Sequence, residues 1–178
     1  FEEQQESFAD LFTLGILIII LVFIVLASQF ESFTDPLIII TAVPMSIAGV
    51  FLALAITGTS LSVMSFMGCI MLFGMVVKNG IVLIDYTKLC RERGMSAIQA
   101  SITAAKSRLR PVLMTTLTTI LGMVPMAIDQ GEGAEMWRPL GVSVIGGLVV
   151  STILTLILVP SLYCMFCAIG FKKARRKH

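Results

Sequence analysis

The chain has 178 residues, of which 57% are hydrophobic and only 13% charged, with a net charge of +2 and a mean hydropathy of +0.97. Soluble domains carry about 25% charged residues, so this chain has too few to clothe a globular surface, and the bilayer is its natural solvent. The small net charge gives no reason to expect a nucleic-acid partner, and the acidic start (Glu2, Glu3, Glu6) lacks the positive n-region of a signal peptide.

A membrane-spanning helix needs about 20 mostly apolar residues. Five such stretches follow one another, at about residues 10–29, 36–57, 61–89, 110–128 and 139–169. The expected fold is therefore an all-α, polytopic membrane bundle of five helices. Pro36, Pro111 and Pro139 stand where a proline favours a helix start. Pro160 is expected to kink or break the last span, which is longer than a perpendicular crossing needs. The connections Glu31–Asp35 and Gly58–Ser60 are too short to hold a domain. Cys90–Arg110 is longer, with a short interfacial helix expected over 96–107, and Asp129–Arg138 is a Gly-rich acidic turn.

Basic residues set the orientation. Lys88, Arg91, Arg93, Lys106, Arg108 and Arg110 flank the third connection, and Lys172, Lys173, Arg175, Arg176 and Lys177 fill the tail. Five spans put both groups on one side, the cytoplasmic one. The acidic N-terminal segment and the turn at 129–138, with Arg138 as the basic exception, fall outside.

Few side chains could carry chemistry. Lys78 lies about ten residues from the cytoplasmic end of the third span, roughly 15 Å at 1.5 Å per residue, beyond the reach of a snorkelling side chain. A charge at that depth costs at least ~2.5 kcal/mol, so it must face protein or water. Helical side chains lean toward the N-terminus, which puts the ammonium over Gly74. Asp85 is the acid on the same span, two turns away, too far for a direct pair. A partner carboxylate has to come from another helix, and the chain reads as a piece of something longer. The bland alternative for Lys78 is a static buried ion pair or a neutral lysine.

Thr115, Thr116, Thr118 and Thr119 form a hydroxyl cluster on the fourth span. It could relay protons or bond across helices, but the pattern leans toward hydroxyls bonded to their own backbone. Ala48, Gly49, Gly68, Gly74, Gly80, Gly146 and Gly147 read as small residues that let helices approach. Cys164 and Cys167 form a CxxC with no second pair nearby, more readily small apolar residues than a redox or metal site. No metal or cofactor is expected.

Gly74-Met-Val-Val-Lys-Asn-Gly-Ile-Val-Leu-Ile-Asp-Tyr86 resembles the tenth transmembrane helix of resistance-nodulation-cell division efflux pumps. Arg108-Leu-Arg-Pro-Val-Leu-Met-Thr-Thr116 resembles the start of their eleventh. The turn Gln29-Phe-Glu-Ser-Phe33 and the stretch from Gly131 to Pro160 are also similar to that family. The resemblance points to the hydrophobe/amphiphile, multidrug branch, since the heavy-metal branch lacks this Lys-Asn pattern. It implies spans eight to twelve of a twelve-span proton antiporter in the bacterial inner membrane, with the porter domains and the first half absent.

By the same resemblance Lys78 pairs with two aspartates on the fourth span. Thr115 and Arg108 join the proton relay, and Asn79 is a further polar group beside it. The resemblance further implies a homotrimer working with a periplasmic adaptor and an outer-membrane channel. A secondary active transporter is expected rather than an enzyme. A lipid- or protein-export member of the same superfamily is the first alternative. An intramembrane hydrolase is the second, and it would need a mid-membrane nucleophile, two aspartates or a metal cluster.

Overall fold

The computed structural model describes residues 2–31 and 33–175, with side chains through residue 170. It consists of five helices: α1 (Glu2–Phe30), α2 (Thr34–Thr57), α3 (Val63–Glu92), α4 (Ala97–Ile128) and α5 (Ala134–Arg175). All five are long and apolar enough to cross a membrane. Helices are the form a chain takes where no water is present to satisfy the backbone, and no strand occurs among the described residues. Ser32 and the tail from Arg176 lie outside the described residues, as do the side chains of Lys172, Lys173 and Arg175.

Helix boundaries follow local chemistry. Ser62 and Ser96 cap α3 and α4, their hydroxyls accepting from the Ser65 and Gln99 N–H groups, the standard way of satisfying orphan donors at a helix start. Gly58 closes α2 at φ 66°, a left-handed conformation that glycine adopts without a Cβ penalty.

Pro111 and Pro139 do not start helices as expected, and Pro160 does not break one. The segment 96–107 is not a separate interfacial helix: α4 runs unbroken from Ala97 to Ile128, with Pro111 inside it. Likewise α5 begins at Ala134, one turn before Pro139, and continues through Pro160 to Arg175. A proline removes one backbone bond, but the flanking residues hold these helices in place. Val112 beside Pro111 is buried, and Val159 and Tyr163 around Pro160 are buried against neighbouring helices. In an apolar surrounding a broken helix would expose several more backbone groups than the proline already frees.

The centre of the bundle is α5, which packs against α2, α3 and α4, while α1 lies at the edge against α2 and α3. Small residues allow the close crossings. A Cβ added at Gly49 would come within 2.6 Å of Val150 Cβ, and one added at Gly146 would fall on Ala53. One added at Gly147 would fall on Leu72, and one at Gly68 would reach Ser143 Cβ at 3.0 Å. Gly80 faces Ile39, whose Cγ2 would lie 3.1 Å from a new Cβ. Gly74 is the exception, with open space where a Cβ would stand.

Candidate functional site

Two faces divide α3. Leu72, Val76, Leu83, Ile84, Thr87 and Cys90 are buried against the rest of the bundle. Met67, Met71, Gly74, Lys78, Asp85 and Leu89 form an exposed stripe, spaced by three, four or seven residues, the geometry of one helix face. Lys78 thus sits in the middle of a span on a surface that the described residues leave exposed. Among the described residues it makes no hydrogen bond or ion pair. Gly74, one turn back on the same exposed stripe, has open space where a Cβ would stand. Asp85 is exposed on the same stripe and forms no ion pair with Lys78.

Arg108 is held differently. Its guanidinium carbon lies 4.8 Å from the centroid of the Tyr86 ring on α3, a cation–π distance. Its Nε is buried and has no hydrogen-bond partner. A buried cationic donor without an acceptor is costly. Thr115 lies two turns along the same face of α4, exposed, its hydroxyl donating to the Pro111 carbonyl at 3.1 Å. This is the ordinary bond of a helical threonine to the carbonyl one turn back.

The threonine cluster separates into two kinds. Thr118 and Thr119 donate to Met114 and Thr115 carbonyls, each one turn back, like Thr115 itself. Thr116 is buried and bonds across to the Thr152 hydroxyl of α5 at 3.1 Å. It is therefore the member that ties two helices together. Asn79 is half-buried beside Lys78 in sequence, and no hydrogen bond or ion pair among the described residues joins Lys78 to Asn79, Thr115 or Arg108.

The two thiols of the CxxC turn to different neighbours. Cys164 Sγ lies 3.3 Å from the Ser101 hydroxyl, and Cys167 Sγ accepts from Arg91 at 3.3 Å.

A second polar group had escaped the sequence reading. Asp35, at the start of α2, forms an ion pair with Lys88 near the end of α3. Lys88 also donates to the Phe30 carbonyl at 3.2 Å and sits over the Phe30 ring. One lysine therefore joins the ends of α1, α2 and α3. Arg91, one turn further, donates to the Tyr163 hydroxyl of α5 at 3.5 Å. The signal was available: the orientation from basic residues puts the 31–35 turn and Lys88 at the same end of the bundle, where Asp35 is the acid nearest a span.

The AcrB/AcrD/AcrF family model matches residues 1–167. The chain belongs to this family of resistance-nodulation-cell division transporters. It is also similar to two crystal structures of a heavy metal efflux pump. Crystal form II matches with 38% sequence identity and a TM-score of 0.84, covering 93% of this chain and 17% of that one. Crystal form I matches with 37% identity and a TM-score of 0.82, covering 93% and 16%. The chain thus spans about a sixth of the length of the pump it matches. The multidrug branch implied by the Lys-Asn pattern has no support in these two matches.

Proposed function

We propose that these five helices are half of the proton-coupling motor of an efflux pump that exchanges protons for hydrophobic or amphiphilic compounds. The observation that carries this reading is Lys78: an ammonium at mid-span, on a face the described residues leave exposed, with open space at Gly74 one turn back. Such a charge is stable only against opposite charge or water supplied by other helices. Protonating a partner carboxylate removes the attraction that holds it. The lysine then exchanges acceptors, with Asn79 and the hydroxyls of α4 as candidates, and α3 and α4 repack between two arrangements. Arg108, with its orphan Nε at the Tyr86 contact, lines the path by which protons reach the site, and Thr115 extends it. The working protein would be a homotrimer in the bacterial inner membrane, joined to a periplasmic adaptor and an outer-membrane channel.

A second reading keeps the motor and changes the cargo. The solved structures matched are of a heavy metal efflux pump, which favours export of metal ions. Both cargoes are tested with the full-length protein in liposomes under an imposed pH gradient. Gradient-driven movement of an amphiphilic dye supports the multidrug reading, and movement of heavy-metal ions alone supports the second. Transport that persists unchanged without any gradient contradicts both.

A further inference from the structure

At the end of the bundle where α2 begins and α3 and α5 end, the helices leave a cavity of about 260 Å³ lined by Thr34, Asp35, Ile38, Lys88, Arg91, Tyr163, Phe166 and Cys167. At about 30 Å³ per water, it has room for roughly eight waters. Its charges do not cancel. Lys88 and Asp35 neutralise each other as an ion pair, whereas Arg91 meets no carboxylate within ion-pair distance among the described residues. The bonds found for the Arg91 guanidinium, from a single nitrogen, go to a phenol and a thiol, both weaker acceptors than an oxyanion. The first turn of α2 also lines the cavity, and no side chain of its N-cap residue, Phe33, accepts from it. A helix start adds partial positive charge to whatever stands in front of it.

We propose that this cavity binds a phosphate ester, held by the free edge of Arg91 and steadied by the Tyr163 hydroxyl. A planar guanidinium presents two parallel N–H donors to a phosphate, and Arg91 has donors to spare once Tyr163 and Cys167 are satisfied. Two sources offer that chemistry: the headgroup of an anionic phospholipid, or a free phosphate ester from water. The lining suits the lipid source, because the exposed Phe166 ring flanks the polar groups where an acyl chain would run. The ion pair beside the site has its own role: it keeps the Asp35 carboxylate from repelling the phosphate. This site stands apart from Lys78 and does not depend on the proton-coupling reading.

Cys167 lines the same cavity, so occupancy can be read as protection of its thiol. The full-length protein is placed in nanodiscs of phosphatidylcholine, with or without phosphatidylglycerol. Alkylation of Cys167 by N-ethylmaleimide is followed by peptide mass spectrometry, which separates it from the other cysteines. Slower alkylation with phosphatidylglycerol identifies the lipid source. Slower alkylation in phosphatidylcholine discs only when inorganic phosphate is added identifies the free ester. Arg91→Gln should weaken the protecting ligand about tenfold, the loss expected of a charge-assisted hydrogen bond. Should that variant fold poorly, Tyr163→Phe gives a second test, since it removes only the hydroxyl and should weaken protection more mildly. Cys167 alkylation that is indifferent to both phosphatidylglycerol and phosphate overturns the proposal. Equal protection in wild type and Arg91→Gln overturns it as well.

Discussion

Gly146→Ala tests the packing of the bundle at its tightest crossing. The added Cβ would fall on Ala53 of α2 and come within 3.1 Å of the Gly49 carbonyl oxygen. Neither obstacle can rotate aside, because an alanine methyl has no alternative rotamer and the other atom is backbone. The two helices must therefore separate. Overpacking of this kind costs about 1–3 kcal/mol, and the better helix propensity of alanine returns up to about 1 kcal/mol. The expected net loss is about 1–2 kcal/mol. Ala53→Gly removes one of the two obstacles and by itself should cost about 1 kcal/mol through propensity. The double variant should then be more stable than the sum of the single losses, by about 0.5–1 kcal/mol, the sign of a direct contact. Reversible unfolding of the full-length protein in mixed detergent micelles measures all three. Additive losses, or no loss for Gly146→Ala, would refute the close α2–α5 crossing.

Lys88→Met should destabilise the protein by about 1–3 kcal/mol, a range below that of fully buried pairs because the lysine is about a third exposed; adding Asp35→Asn should recover most of the loss in the same unfolding assay. Thr116→Val should cost about 0.6–1.7 kcal/mol, the range for hydrogen bonds between membrane helices. Thr115→Ala should leave stability within about 0.5 kcal/mol, because its hydroxyl serves only its own helix, yet it should slow transport. Full transport by Thr115→Ala together with Arg108→Ala would remove both residues from the relay. On a cysteine-free background, Gln130→Cys should react with an impermeant maleimide from the periplasmic side and Arg93→Cys only after the membrane is opened; both positions are exposed, and the reverse pattern would invert the orientation.

The five spans were legible because the bilayer imposes a length and a polarity that composition alone reveals. Proline was the unreliable marker. A sequence shows the bond that Pro111 or Pro160 forfeits, but not the buried neighbours that keep the helix whole. Lys78 stood out because its charge has no local remedy, and the structure gives it an uncovered face. The Asp35–Lys88 pair was missed for the opposite reason: each residue sits near a span end, where a charge needs no explanation, and their meeting depends on how three helices converge. The threonines show a similar limit. Four hydroxyls in five residues look alike in sequence, and only the position of α5 distinguishes Thr116 from the rest. Gly80 does serve a close approach, since Ile39 stands near enough that an alanine there would require a small shift.

The central claim is that Lys78 switches partners as protons pass, and Lys78→Met tests it most directly. Methionine keeps nearly the length of the side chain and removes its charge, so insertion and folding should be preserved or improved. The measurement is proton flux coupled to substrate movement in liposomes holding equal amounts of full-length wild-type and variant protein. The account predicts that Lys78→Met inserts normally and loses coupled transport, and that Lys78→Arg is also severely impaired, because a planar guanidinium does not exchange acceptors as a compact ammonium does. Near-normal coupled transport by Lys78→Met would contradict the account and leave Lys78 as a static structural charge.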